Sequence, residues 1–165
     1  MNHDISDDSL HPSALDRLDR RILSVLQQQG RISNQELAQA VHLSPAQSNR
    51  RHKRLEAAGY IRRYEARLDA HRLGLGVTAF VHVSMERGHI REVDRFRELV
   101  RSMQQVLECY AVTGDFDYVC KVVARDLKGL SDFLLGTLAQ LPGVSSVRSS
   151  ICLNELKCTS ALPLE

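Results

Sequence analysis

Two serine-led boxes, Ser33-Asn34-Gln35-Glu36 and Ser44-Pro45-Ala46-Gln47, stand eleven residues apart and leave the chain between them few options. In such a box the serine hydroxyl accepts from the backbone N–H three residues on, while the glutamate or glutamine side chain reaches back to the serine N–H. Each box therefore marks a helix start, and the helix opened by the first must end before the second begins. Pro45 falls at a first helical position, where its missing N–H costs nothing. Upstream, Leu15, Leu18, Ile22, Val25 and Leu26 recur at helical spacing, with Asp16 and Asp19 at capping positions and Gly30 as the stop. Downstream, the third helix runs to Ala58 and ends at Gly59. Three short helices joined by turns of a few residues make a helix-turn-helix arrangement, in which the last helix enters the major groove of DNA.

The third helix has the side chains for that task. Ser48, His52 and Leu55 share a stripe expected to face the first two helices, which leaves Gln47, Asn49, Arg50, Lys53 and Arg54 mostly outside. Gln and Asn can bond an adenine edge bidentately, Arg a guanine edge, and Lys a phosphate. The expected DNA-binding residues are Ser44, Ala46, Gln47, Asn49, Arg50, Arg51, Lys53 and Arg54, with Ala46, Gln47, Asn49 and Arg50 nearest the bases. Taken alone, the basic run reads as an ordinary solvated helix face. The charge distribution argues for more: Asp16 to Arg72 holds twelve basic and six acidic residues, a net +6 in a chain whose total is +2. A segment so charged suits a polyanion. His52, on the inward stripe, reads as a hydrogen-bonded core histidine.

The period then changes. After a weakly alternating stretch from Tyr60 to Leu68 and a turn-rich one from Asp69 to Gly76, Val77, Ala79, Val81, Val83 and Met85 alternate with polar residues as in a half-buried strand. Ile90, Val93, Phe96, Val100 and Met103 return to helical spacing; Val106 to Thr113 and Asp117 to Ala124 read as strands around Gly114-Asp115. A leucine-rich helix from Leu127 to Leu141, stopped by Pro142-Gly143, precedes a final strand from Val144 to Leu156. The order βαββαβ is that of a ferredoxin-like unit, an antiparallel sheet with helices on one face. The expected fold class is thus α+β, with a disordered tail over residues 1–14 and a winged-helix-like helix-turn-helix domain over 15–61. A connecting strand and hinge over 62–76 lead to a ferredoxin-like domain over 77–165. The sheet face left bare, in strands that carry Val, Phe80, Tyr110 and Cys109 on both sides, calls for a second subunit, and a dimer would also pair two reading helices on one symmetry axis.

No apolar leader or run of eighteen apolar residues occurs in the sequence, which reads as a cytosolic chain with no membrane span. Cys109, Cys120, Cys152 and Cys158 show neither a CxxC pair nor metal-ligand spacing, so free thiols are expected, Cys109 and Cys120 as small apolar strand residues and redox sensing only as a minor alternative. There is no phosphate loop, nucleophile elbow or metal cluster, and His82 and His89 stand alone; no catalytic residue, metal or cofactor is expected.

The stretch LDRLDRRILSVLQQQGRISNQELAQAVHLSP, the closing RLEAAGYI, and the later TGDFDY and LPGV resemble the leucine- and asparagine-responsive regulators of the Lrp/AsnC family, over Leu15 to Leu164. The resemblance implies a transcriptional regulator dimerising through the C-terminal sheet, often closing into octamers, with a small amino acid bound between neighbouring dimers. It places that effector at Gly114, Asp115, Phe116, Asp117 and Tyr118, helped by Ser149, Ser150 and Cys152 of the last strand. Asp115 can pair with an α-ammonium and backbone donors near Gly114 can receive the carboxylate; by spacing alone the same residues read as a plain hairpin turn. Leucine, methionine, cysteine or another amino acid all remain open as effector, since Ser150 leaves more room than the aromatic group some members carry there. A rival reading from another class is an architectural protein that wraps DNA and senses nothing. It needs the same basic helix but no ligand at Asp115.

Overall fold

The computed structural model describes residues 15–86 and 90–164. The acidic tail over residues 1–14 and His89 lie outside the described residues. Two compact units emerge: the described residues up to Arg67 together with those from Lys157 onward, and Leu68–Leu156.

The first unit contains α1 (Arg17–Gln28), α2 (Asn34–Val41) and α3 (Pro45–Ala57). All three open with a reciprocal box, Asp16 with Asp19, Ser33 with Glu36 and Ser44 with Gln47, so each start satisfies donors that have no partner inside the helix. α2 ends at His42, in the left-handed region at φ 57°, and the His42 N–H closes back onto the Ala38 and Gln39 carbonyls. The core is Ile22, Leu23 and Leu26 from α1, Leu37 and Val41 from α2, and Leu55 from α3. Each such side chain contributes about 1.5–3 kcal/mol on burial, and this shared core seats helices too short to persist alone.

The strand expected within 62–76 does not form; among the described residues none is paired between α3 and Val77. The chain leaving α3 is instead pinned at Tyr64, whose hydroxyl lies 2.6 Å from His52 Nε2. The chain end also differs from expectation. Although 77–165 reads as one domain in the sequence, the segment from Lys157 belongs with the helices. The Gln27 side-chain amide donates to the Leu162 carbonyl and accepts from the Leu162 N–H, both at 2.9 Å. Arg67 donates to the Cys158 carbonyl at 3.1 Å, and Leu164 packs on the helical core. Backbone without a strand neighbour needs other partners, and the helical unit supplies them.

The second unit follows the expected order: β1 (Val77–Met85), α4 (Ile90–Ser102), β2 (Val106–Ala111), β3 (Tyr118–Ala124), α5 (Leu127–Gly136) and β4 (Val144–Ile151). The strands lie as β2-β3-β1-β4, antiparallel throughout. β4 stops short of Leu156 because its neighbour runs out: Ala79 faces Ile151, the Cys152 N–H reaches the Thr78 carbonyl, and β1 begins at Val77. The long leucine helix likewise ends at Gly136 and continues only as a 3₁₀ turn over Leu138–Gln140. Ala79, Val81, Val83, Tyr118, Cys120 and Val122 point to the helices and meet Phe96, Val100, Leu130, Phe133, Leu134 and Leu138. The other face carries Phe80 and Tyr110, 44% and 57% exposed. Cys109 stands opposite Cys120, whose side chain is in the helix-covered core, and so lies on the helix side of the sheet.

Candidate functional site

α3 sorts its polar side chains by direction. At 3.6 residues per turn, Ala46, Asn49, Arg50 and Lys53 fall on one stripe, diametrically opposed to Ser48 and Leu55, which are 0% and 1% exposed. Arg50 and Lys53 are exposed and make no hydrogen bond or ion pair among the described residues. Arg51 and Arg54 behave differently. Arg51 donates to Asp16 at 2.6 Å and to Asp19 at 2.8 Å, and Arg54 donates to the other oxygen of Asp19. Asp19 is only 1% exposed, so its carboxylate, capping α1 and holding two guanidinium groups, joins the first helix to the third.

Two of the expected DNA-binding residues, Arg51 and Arg54, are thus also tied to α1. Gln47 is partly committed as well, since its Oε1 accepts from the Ser44 N–H and hydroxyl at 3.4 and 3.1 Å; its amide donors stay available. The N–H of Asp19 and then Arg51 hold the Asp16 carboxyl below its usual value, while Asp16, then Asp19, raise Arg51. His52 is half-buried between Tyr64 and Glu56, at 2.6 and 3.5 Å. Burial first, then the Glu56 charge, push the Tyr64 hydroxyl up to about 12, so it keeps its proton at neutral pH.

In the second unit the Gly114–Tyr118 loop joins β2 to β3. Gly114 has φ 118°, which a residue with a Cβ rarely adopts. Asp115 is exposed and has no polar partner among the described residues. The next three residues hold the loop in place. Phe116 stacks at 4.7 Å on His82, with the Arg148 guanidinium 5.7 Å from its ring centre. Asp117 accepts from the Met85 N–H at 2.6 Å while its own N–H donates to Val83 at 3.0 Å, fastening the loop to the end of β1. Tyr118 is buried against Phe96 at 4.8 Å, and its hydroxyl accepts from Arg97 at 3.2 Å.

The expected effector residues are therefore only partly brought together. Ser149 and Ser150 face Val81 and Phe80 respectively, and neighbouring strand residues point to opposite faces, so only Ser150 shares the bare face. Cys152 bonds to Thr78, at the far end of β1 from the loop anchored at Val83 and Met85. At about 3.3 Å per residue, that separation is roughly 20 Å. The residues that do surround the loop, His82 and Arg148, face each other in the β1–β4 register. The sequence left His82 isolated because only strand pairing brings it to Phe116. An open cleft of about 630 Å³, lined by Leu75, Gln104, Val123, Arg125, Lys128 and Asp132 among others, involves neither the loop nor β4. Among the described residues no group of three His, Cys, Asp or Glu side chains could hold a metal, and no helix is long and apolar enough to cross a membrane.

Comparison with known proteins agrees with both units. Residues 15–62 match the winged helix-turn-helix DNA-binding family, and residues 78–162 match the Lrp/AsnC ligand binding domain family. The leucine-responsive regulatory protein of Klebsiella pneumoniae is 38% identical over 151 residues, covering 92% of either chain. A transcriptional regulator of Neisseria meningitidis, solved in complex with L-methionine, superposes with a TM-score of 0.89 at 41% identity, over 92% of this chain and 97% of that one. An AsnC family transcriptional regulator from Agrobacterium tumefaciens gives 0.85 at 35% identity, over 91% and 97%. With a helix-turn-helix whose basic face stands clear of its own fold, and a ligand-binding sheet domain following it, the chain belongs to the Lrp/AsnC family of DNA-binding transcriptional regulators and is not an enzyme.

Proposed function

We propose that this regulator reads duplex DNA through Ala46, Asn49, Arg50 and Lys53. It acts as a cytoplasmic homodimer closed across the bare sheet face, and a free amino acid at the Gly114–Asp115 corner changes its hold on DNA. The observation that carries this reading is the sorting of charge on α3. Arg51 and Arg54 are spent on Asp16 and Asp19, whereas Arg50 and Lys53 remain exposed on the stripe that also bears Asn49. Asn49 offers a bidentate adenine contact near the helix start, Arg50 a guanine contact, and Lys53 a phosphate contact one turn on.

The effector corner is open in a single chain, with one unpaired carboxylate at Asp115 and a glycine whose neighbouring backbone can approach a carboxylate closely. An amino acid held there gains its remaining walls from a neighbouring subunit, so dimers assembling toward an octamer would complete the site. The methionine complex of the Neisseria meningitidis relative favours methionine, with leucine and cysteine as the nearest competitors. A coupling of about 1–3 kcal/mol between ligand and DNA would suffice for regulation.

A thermal-shift screen of the full chain against the twenty amino acids tests the effector, because a saturating ligand of the native state raises stability by about 2–4 kcal/mol. A shift with methionine or a near relative, absent in Asp115→Ala, is the expected result. No shift with any amino acid would remove the effector and leave a DNA-wrapping protein.

A further inference from the structure

Cys109 and Cys120 are opposed in the β2–β3 ladder, and their sulfurs are 3.3 Å apart. Directly opposed residues of an antiparallel pair have Cα atoms about 4.5–5.5 Å apart, inside the span of about 4.4–6.8 Å that disulfides bridge. Bonding thus asks the sulfurs to approach without asking the strands to move. The two thiols are unequal. Cys109 is exposed and lines a cavity of about 210 Å³ with Arg97 and Arg101 of α4, whereas Cys120 is 0% exposed. The Cys120 S–H donates to the Cys109 sulfur, which lowers the Cys109 thiol and raises that of Cys120. Cys152, by contrast, turns its sulfur to the Asn154 carbonyl at 3.6 Å.

We infer that Cys109 and Cys120 form a reversible oxidation site that takes a small hydroperoxide as oxidant and closes to a disulfide. Cys109 thiolate attacks the peroxide, forming an S–O bond and breaking the O–O bond; the departing oxygen takes a proton and leaves as water or an alcohol. Cys120 sulfur then attacks the Cys109 sulfenic acid, the S–S bond replaces the S–O bond, and hydroxide leaves as water with the Cys120 proton. Two electrons pass from the thiol pair to one peroxide. Access and positive surroundings make Cys109 the attacking thiol, and Cys120, already in contact, the resolving one. The resulting ring spans residues 109–120, so it would tie the base of the hairpin that carries Gly114 and Asp115.

The test treats the reduced full chain with hydrogen peroxide, alkylates it, and digests it with trypsin. Both cysteines fall in one peptide, Ser102–Lys121. The expected result is that this peptide loses two hydrogens, takes no alkyl label, and regains two labels after dithiothreitol, while the chain loses two of its four free thiols. Cys109→Ser, at an exposed position, should slow thiol loss at least about tenfold, and Cys120→Ser should leave a dimedone-trappable sulfenic acid at Cys109. A doubly alkylated Ser102–Lys121 peptide after peroxide, or thiol loss in Cys109→Ser at the wild-type rate, would overturn the inference.

Discussion

α3 and the Gly114–Tyr118 loop are each built from residues that look alike in sequence and divide into two jobs in three dimensions. On α3, Arg51 and Arg54 hold the helix to α1 while Arg50 and Lys53 remain unengaged. In the loop, Phe116, Asp117 and Tyr118 fasten the hairpin while Asp115 remains unengaged. The difference lies in completeness. The free stripe of α3 has acceptor and donor chemistry enough to meet DNA from one chain, whereas Asp115 stands at an open corner with one charge and no enclosure. On the function proposed, α3 is finished within its own unit, whereas an effector at the Gly114–Asp115 corner would need walls from a neighbour.

The largest expected effect breaks the division on α3. Replacing both Arg50 and Lys53 by alanine should lower affinity for a duplex selected by the wild-type protein by about 2–4 kcal/mol, on the order of a hundredfold, since one base contact and one phosphate contact go. Neither side chain has a partner to lose, so the melting temperature should stay put. Asp19→Ala should do the reverse in kind, costing about 2 kcal/mol of stability by removing charged hydrogen bonds to Arg51 and Arg54 and a cap; denaturant unfolding measures it.

In the loop, Asp117→Ala should destabilise the second unit by about 1.5 kcal/mol through the lost bond to the Met85 N–H. Asp115→Ala should leave unfolding unchanged, and equal losses for the two aspartates would erase the distinction between fastening and binding residues. The smallest effect is on acid stability. The Asp19 N–H holds Asp16, and the Ser33 hydroxyl holds Glu36, below their usual values. Their contribution is therefore complete above the unfolded carboxyl value of about 4 and is lost as pH falls through the lowered folded values. Helical circular dichroism should be flat between about pH 7 and 5 and fall below about pH 4.

What the sequence made legible was what is local. The boxes at Ser33 and Ser44 work over three residues and appear as read; the alternation from Val77 to Met85 needs only the pleat. What it hid depends on pairing across the chain. Asp19 meets Arg51 and Arg54 from 32 and 35 residues away, and in sequence it looks like a mere first-turn acid. Asp117 reaches Met85 over 32 residues, so it reads as a turn carboxylate free for ligand. Leu162 and Leu164 carry too short a pattern to reveal that they return to α1 and its core, 135 residues distant at Gln27.

The most direct measurement is a side-by-side comparison of Arg50→Ala and Arg51→Ala, each titrated with the selected duplex and melted under the same conditions. The account predicts that Arg50→Ala loses DNA affinity at an unchanged melting temperature, while Arg51→Ala lowers the melting temperature by cutting the tie to Asp16 and Asp19. Wild-type affinity in Arg50→Ala, or an unchanged melting temperature in Arg51→Ala, would contradict it.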